Sequence, residues 1–346
     1  MHLTTIWFAL IAILWAGYFL LEGFDFGVGM LLPVLARDNR ERRLLINTIG
    51  PVWDGNEVWL LVAGGATFAA FPEWYATLFS GFYLPLLIIL VALILRGVAF
   101  EYRGKKDDPV WRRRWDLCII GGSFVPALLW GVAFGNIVRG VKLDAHHEYV
   151  GGFFDLLNPY ALVGGLTTLT LFLLHGAVFV SLKTDGDIRQ RAGRLAARLA
   201  PAAIVIGGTF LLWTQLGTGD AGSAVLFCGA AVALLAALYA VHRQRDGWGF
   251  VGTFAIFVRR EGWAFLATGL TVVLAVFALF VTLFPDVMPS TVAAANSLTV
   301  HNASSSPYTL KVMTWVAVAF TPLVLAYQGW TYWVFRKRLT VDRIPS

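Results

Sequence analysis

Long apolar stretches recur along the whole chain, and they constrain the fold more than any other feature. A transmembrane helix needs about 20 predominantly apolar residues to cross a hydrocarbon core of about 30 Å. Only 14% of the 346 residues are charged, against about a quarter in soluble domains. The sequence therefore predicts an all-α polytopic membrane protein with one integral-membrane domain, residues 1–346. Its nine predicted transmembrane helices cover about 5–35, 51–72, 75–100, 114–138, 158–181, 198–217, 222–243, 259–284 and 308–336.

The first apolar stretch is predicted to be a retained helix. It has no basic segment before it, and it contains Glu22 and Asp25, which a signal peptide would not carry. We therefore expect this stretch to remain in the membrane as the first helix of the bundle.

Basic residues are concentrated in alternate loops. The loops on one side hold only Arg139 and Lys142, whereas those on the other side hold four to six basic residues each, as does the C-terminal tail. By the positive-inside rule, the N-terminus is predicted outside and the C-terminus in the cytoplasm. The net charge of +6 then reflects topology, and no nucleic-acid partner is expected. The rich loops lie near 37–43, 103–114, 183–198 and 243–260.

Four acidic residues lie within predicted transmembrane helices: Glu22, Asp25, Asp54 and Glu57. A charged side chain at the bilayer centre costs at least about 2.5–3.5 kcal/mol on insertion scales. Glu22 and Asp25 share a helix face by their spacing of three, as do Asp54 and Glu57. Counting from the basic residues at 37 and 43 at about 1.5 Å per residue predicts Asp25 and Asp54 at similar depth, roughly 16–18 Å above the basic loop. We interpret these acids as a proton relay.

Arg96 is the predicted counter-ion of these acids, because it lies near the inner end of the third predicted helix. Simpler interpretations stay open for part of the set. Asp54 and Glu57 follow Pro51 at a helix N-terminus, where the helix dipole favours carboxylates. Arg96 could extend its side chain to the inner interface.

Histidine and cysteine positions argue against a cofactor ligated by this chain. A haem within a helical bundle needs an axial histidine, often with a second histidine or a methionine. Only His175 lies well inside a predicted helix, and His242 lies at the edge of another. We interpret His175 as a hydrogen-bonded packing residue. Cys118 and Cys228 lie near opposite membrane faces, so no disulfide is expected between them.

Several motifs stand out along the chain, and the block Trp53-Asp54-Gly55-Asn56 is the most specific of them. The segments are 23–30 (GFDFGVGM), 47–59 (NTIGPVWDGNEVW), 80–83 (SGFY), 122–136 (GSFVPALLWGVAFGN) and 284–290 (FPDVMPS). Together they resemble subunit II of the cytochrome bd-type quinol oxidases, and the resemblance extends along essentially the whole chain.

The resemblance implies a fold of two four-helix bundles plus one extra helix, packed against a haem-bearing subunit I. In that family, subunit I holds haem b, haem d and the quinol-oxidising loop, and this subunit is the haem-free partner. The complex oxidises quinol, reduces dioxygen to water and takes protons from the cytoplasm. Asp54 matches the main candidate relay of this subunit and Asp25 matches a second. Small accessory subunits, lipids and a structural quinone occur in some members.

Two other function classes remain as alternatives at this point. Acids near the inner leaflet would suit a proton-coupled secondary transporter, although such proteins usually have internal repeats and broken helices, and neither is clear here. A purely structural membrane scaffold would make the acids dispensable. The favoured prediction is a subunit of a quinol oxidase in the bacterial cytoplasmic membrane.

Overall fold

A computed structural model describes residues 3–243 and 260–344, and these residues are mostly helical. The predicted basic residues Arg245 and Arg259, and His2, lie outside the described residues. The described α-helices are α1 (Leu3–Leu35), α2 (Asn39–Ile49), α3 (Trp53–Ala70), α4 (Pro72–Gly81), α5 (Tyr83–Tyr102), α6 (Pro109–Arg139), α7 (Pro159–Lys183), α8 (Gly186–Gly217), α9 (Ala221–Arg243), α10 (Arg260–Leu283) and α11 (Pro307–Val334).

Eight of these helices are long and apolar enough to cross a membrane, counted over residues 3–243 and 260–344. They are α1 and α5 to α11, and they correspond to eight of the nine predicted helices. The remaining prediction, 51–72, corresponds to α3, which has 18 residues and begins with the polar sequence Trp53-Asp54-Gly55-Asn56-Glu57. Those polar residues lower the apolar character of α3, so the count of nine crossings stays a prediction.

The third predicted helix, 75–100, is wrong at its start. Helix α4 ends at Gly81 and α5 begins at Tyr83, with Phe82 between them. Pro85 explains the break, because proline has no N–H to give the carbonyl four residues earlier and its ring clashes with that carbonyl. Residues 75–81 therefore belong to a separate ten-residue helix.

Two basic segments predicted as loops are helical. Helix α2 occupies most of the connection between α1 and α3, and Asp38 caps its N-terminus by accepting a hydrogen bond from the Glu41 N–H. Helix α8 begins at Gly186, twelve residues before the predicted start at 198. Its first turns carry Arg189 and Arg191, which pair with Glu261 and Glu41 respectively. Ion pairs thus hold these basic segments in helical form against neighbouring elements.

Helix α1 is central, since it contacts α3, α6, α7 and α10. Its closest approach is to α7, where Gly27 and Gly176 face each other. A Cβ atom on Gly27 would lie 2.7 Å from the Gly176 Cα, so only a residue without a side chain fits there. Helix α11 is the least embedded, because Leu310 is its only buried residue.

The connections 140–158 and 284–306 pack together as a small cap over one end of the bundle. Strands β1 (Asp286–Met288) and β2 (Leu298–Thr299) pair antiparallel, and Val141 bridges to Ser290 from the other connection. In this cap the backbone N–H groups of Glu148 and His146 hold the pKa of Asp144 below its ordinary value. Local hydrogen bonds therefore stabilise the ionised form of Asp144.

Candidate functional site

Glu22 and Asp25 lie side by side on α1, and both side chains are fully buried. They lie about three to four turns before the helix ends at Leu35, the end next to the basic segments. Their spacing of three places them on one face, as the sequence predicts. That face is turned towards α3 and α5.

Arg96 on α5 is the cation of the site. Its Nη1 lies 3.0 Å from Glu22 Oε2 and 2.8 Å from Glu57 Oε1. The side chain of Arg96 is 1% exposed, against 19% for Glu57. Arg96 thus pairs with one acid from α1 and one from α3, and it does not extend to the surface of the chain. These distances agree with the prediction that Arg96 is the counter-ion of the acids.

Aromatic rings and a glycine give the guanidinium its place. The Arg96 Cζ lies 4.8 Å from the ring centroid of Phe26 and 5.2 Å from that of Phe100, which suits a cation–π contact. On the other side, Gly122 of α6 faces the backbone of α5. A Cβ atom on Gly122 would lie 2.6 Å from the Arg96 Cβ and 2.6 Å from the Ala92 carbonyl oxygen. The absent side chain lets α5 and α6 approach closely at the level of Arg96.

Asp25 makes its hydrogen bond to Asn56 rather than to Arg96. The Asn56 amide Nδ2 donates to Asp25 Oδ2 over 2.7 Å, and Asn56 Oδ1 accepts from the Tyr332 hydroxyl over 2.8 Å. Gln328 approaches the same Oδ1 at 3.4 Å and accepts from the Trp59 indole N–H at 2.9 Å. A polar network therefore connects α11 with α3 and α1.

Asn56, Gln328 and Tyr332 were missed by the analysis of the sequence. Asn56 stands in the block that carries the family resemblance but is neutral, so the search for buried charges passes over it. The signal on α11 was the spacing of Gln328 and Tyr332, four residues apart on one face of an otherwise apolar helix.

Asp54 does not join the buried cluster. It lies in the first turn of α3 and is exposed on the surface of this chain, although Glu57, three residues later, reaches Arg96. The depth count from residue 43 assumed one continuous helix, whereas α2 ends at Ile49 and α3 begins at Trp53. The premise of one continuous helix is therefore wrong, while the similar depth of Asp25 and Asp54 stays a prediction; α1 and α3 do meet at Asp25 and Asn56.

The cluster contains three acids and one base, and several of its buried atoms lack a hydrogen-bond partner. Among the described residues, the atoms without a partner include Glu22 Oε1, Asp25 Oδ1, and Nε and Nη2 of Arg96. Unsatisfied buried polar groups cost about 1–3 kcal/mol each, and more when charged. An arrangement of this kind can bind and release protons, because a carboxyl with a free oxygen can take a proton without breaking an existing hydrogen bond.

His175 lies on the opposite side of α1 and is fully engaged. Its Nδ1 lies 2.7 Å from Thr268 Oγ1 and its Nε2 lies 3.2 Å from the Leu20 carbonyl oxygen. Its ring stacks on Phe265, with centroids 4.6 Å apart. The interpretation as a hydrogen-bonded packing residue agrees with these contacts. His242 bonds through Nδ1 to the Leu238 carbonyl of its own helix.

The contacts of His175 do not fit an axial haem ligand. Both ring nitrogens of His175 already have partners, so no lone pair is free to bind iron. Over residues 3–243 and 260–344, no three His, Cys, Asp or Glu side chains converge as a metal site. Cys118 and Cys228 are free thiols, as the sequence predicted.

The fold and the site together define a polytopic helical membrane protein with a buried acid–arginine cluster. The chain belongs to the family of cytochrome bd terminal oxidase subunit II, whose sequence pattern it matches over residues 3–335. It is therefore a subunit of a membrane oxidoreductase complex with a subunit I partner and haems in the complex. It is a multi-pass protein of the bacterial plasma membrane.

Individual relatives support this assignment. Cytochrome bd ubiquinol oxidase subunit 2 of Bacillus subtilis is 42% identical over 343 residues, which is 97% of this chain and 96% of that protein. Cytochrome bd-I ubiquinol oxidase subunit 2 of Escherichia coli is 37% identical over 378 residues, covering 98% and 96%. A chain of the bd oxidase structure from Geobacillus thermodenitrificans has the same fold, with a TM-score of 0.75, 18% identity, and coverage of 97% of this chain and 99% of that one.

Proposed function

We propose that this chain is the haem-free subunit of a quinol:oxygen oxidoreductase, that it scaffolds the haem-bearing subunit I, and that it supplies part of a proton path to the oxygen-reduction site. One observation carries the proposal: two fully buried acids and one partly buried acid converge with a buried arginine, and several of their polar atoms have no hydrogen-bond partner among the described residues. Haem b, haem d and quinol oxidation belong to subunit I in this proposal. Lipids, accessory subunits and a structural quinone are further expected partners.

The proposed topology has nine crossings, with the N-terminus outside and the C-terminus in the cytoplasm. Helix α3 is the ninth crossing, since its 18 residues extend about 27 Å at 1.5 Å per residue. The proposed arrangement is two four-helix bundles plus one extra helix within a single integral-membrane domain. The distribution of arginine and lysine supports the orientation. The basic face, which is the end of the bundle carrying α2 and the first turns of α6 and α8, is then cytoplasmic.

Each acid has a separate role in the proposed path. Reduction of one dioxygen to two waters consumes four protons, so a path must deliver them from the basic face. Asp25 takes up protons, because its Oδ1 lacks a hydrogen-bond partner while Asn56 holds its Oδ2. Glu22 and Glu57 exchange protons around Arg96, whose positive charge limits how many of the three acids are neutral at once. Asp54 collects protons at the surface of this chain.

Neutral amides at the buried acids test the proposal. Asp25→Asn and Glu22→Gln, co-expressed with subunit I, should leave assembly and haem absorbance intact while quinol-driven oxygen uptake falls at least about tenfold, as expected for loss of a proton-transfer group. Glu73→Gln is the matched control, since Glu73 is exposed on α4 and outside the cluster.

Other outcomes would separate the alternative functions. Normal oxygen uptake in both variants would refute the relay and favour a structural scaffold. Loss of haem together with activity would show that the acids serve assembly. A chain that purifies folded and colourless without a haem-bearing partner would favour the transporter.

A further inference from the structure

A cavity of about 270 Å³ lies at the basic face, directly beside the polar network. Its walls come from the turn between α2 and α3 and from the basic ends of α7, α10 and α11. They include Thr48, Val52, Phe179, Phe265, Tyr332 and Leu339. The sequence predicts no cavity here, because its walls come from four separated parts of the chain.

One end of this cavity opens at the surface of the basic face. Asn47 and Pro51 line it on one side and Phe335 and Arg336 on the other, and all four are exposed. Water and protons from the basic face can therefore reach the interior of the cavity without crossing the apolar part of the bundle.

Tyr332 lines the cavity and also belongs to the polar network that reaches Asp25. Its hydroxyl donates to Asn56 Oδ1, and the amide of the same Asn56 donates to Asp25 Oδ2. Two side chains, Tyr332 and Asn56, thus lie between the cavity and the buried carboxyl of Asp25. A tyrosine hydroxyl both donates and accepts hydrogen bonds, whereas the asparagine amide is committed in one direction. Asn56 consequently orients Asp25, and Tyr332 is the group that cavity water meets first.

Tyr332 stands on the helix that packs least against the rest of this chain. Apart from Leu310 near its start, α11 buries none of its residues in this chain. Its basic end is attached by Lys183, whose Nζ donates to the carbonyl oxygens of Phe335 and Lys337. A side chain on such a helix can turn away from Asn56 at lower cost than one packed within the core.

We propose that this cavity is where protons enter the chain, and that Tyr332 and Asn56 are positioning residues that control their transfer to Asp25. This inference rests on the proposed function and specifies its route: uptake occurs between α3, α7 and α11, within this subunit. The Asn56 amide does not itself carry protons. Tyr332 therefore turns towards the water in the cavity, and water reaches Asp25 through the space that the Tyr332 side chain leaves.

Chemical closure of the cavity tests the route. In a Cys118→Ser, Cys228→Ser background of the assembled complex, Asn47→Cys should lose at least about tenfold of its oxygen uptake after reaction with a trimethylammonium-ethyl methanethiosulfonate, which adds bulk and positive charge where a proton-transfer path begins. The small neutral methyl methanethiosulfonate should inhibit less. Arg336→Cys provides a second position at the same opening.

Lys105→Cys is the control for the reagent, because Lys105 is exposed in the connection between α5 and α6 and does not line the cavity. Modified Lys105→Cys should keep full oxygen uptake. Full uptake after modification at both Asn47→Cys and Arg336→Cys would overturn the proposed route.

Removal of one hydroxyl tests Tyr332 itself. Tyr332→Phe keeps the ring and removes the donor to Asn56, so oxygen uptake should fall severalfold with an unchanged KM for quinol and a larger solvent deuterium isotope effect. A purely structural role of Tyr332 would not alter the isotope effect. An unchanged rate and isotope effect in Tyr332→Phe would refute its role as a positioning residue.

The two proposals fail in distinguishable ways. If Asp25→Asn lowers oxygen uptake while cavity modification and Tyr332→Phe have no effect, the relay stands and this route is wrong. If Asp25→Asn also leaves oxygen uptake unchanged, the proposed function itself is refuted.

Discussion

The two sides of α1 solve the burial of polar groups in opposite ways. Towards α3 and α5, Glu22 and Asp25 meet Glu57 and Arg96, and charged atoms remain without hydrogen-bond partners among the described residues. Towards α7 and α10, the polar group is His175, and both of its ring nitrogens are engaged. One side is charged and incompletely satisfied, whereas the other has a complete set of hydrogen bonds.

This difference separates a functional site from a packing contact. Taking charges out of water costs several kcal/mol per ion, and well-packed apolar residues often replace a buried ion pair without loss of stability. On the side facing α7, the helices are joined mainly by such packing. Glycines and stacked rings meet there, and the ring centroids of Phe24 and Phe179 are 4.1 Å apart. On the charged side, the cost of burying the acids supports the proposal that they exchange protons.

The largest expected effect comes from removal of the single cation on the charged side. Arg96→Met would leave Glu22 and Glu57 buried without a partner, and breaking a buried pair in this way costs about 3–5 kcal/mol. The amount of assembled complex in membranes should fall sharply, measured by haem absorbance per membrane protein. Arg96→Lys should restore part of it.

An exposed pair provides the matched control for Arg96. Arg37 and Asp187 also form an ion pair, at 2.9 Å, but their side chains are 67% and 53% exposed. Exposed pairs contribute about 0–1 kcal/mol, so Arg37→Ala should leave assembly unchanged. Equal losses from both substitutions would contradict the distinction between buried and exposed pairs.

A smaller effect is expected where α1 meets α7. In Gly27→Ala, the added methyl group would collide with the Phe172 carbonyl oxygen and the backbone of Gly176. Overpacking of this kind costs about 1–3 kcal/mol, and the temperature at which the purified complex loses its haem absorbance should fall. Gly121→Ala is the control, because a methyl group there meets no atom within 4 Å. A stable Gly27→Ala variant would show that the two helices can separate slightly without loss.

The smallest effect is expected for His175. His175→Phe keeps a ring against Phe265 but loses the hydrogen bonds to Thr268 and the Leu20 carbonyl, at a cost of about 1 kcal/mol. Thr268 keeps its bond to the Ala264 carbonyl, which limits the loss. Oxygen uptake per haem and the haem spectrum should remain unchanged. A shifted haem spectrum would mean that His175 contacts a redox centre after all.

Much of the charged side could be predicted from the sequence, because charges in apolar stretches are conspicuous. Glu22, Asp25, Glu57 and Arg96 were all identified, and their convergence agrees with the expectation that buried charges pair. Asp54 was grouped with them because of its spacing from Glu57, and the structure separates them. Both acids lie in α3, but Asp54 stands exposed in its first turn, whereas Glu57, almost one turn later, reaches Arg96.

The neutral partners could not be predicted in the same way. Asn56 and Tyr332 are 276 positions apart, and neither residue type is rare in a helix, so nothing local indicates that they touch. Similarly, Thr268 is one of several threonines in apolar helices, and its contact with His175 depends on how α7 and α10 pack. Hydrogen bonds between distant residues depend on helix rotation and register, which one sequence does not specify.

The amino-acid sequence by itself determined that this chain is a helical membrane protein, which segments are apolar, which face of the bundle is basic, and which charges must be buried. These follow from the solvation of each residue in lipid or water, which is a local property. Only the tertiary structure decided which acids pair with Arg96, that Asp54 stays at the surface of this chain, and that Tyr332 lines a cavity and reaches Asp25 through Asn56. Such contacts depend on distances of a few ångströms between helices remote in the chain, and close packing of all the helices at once sets those distances.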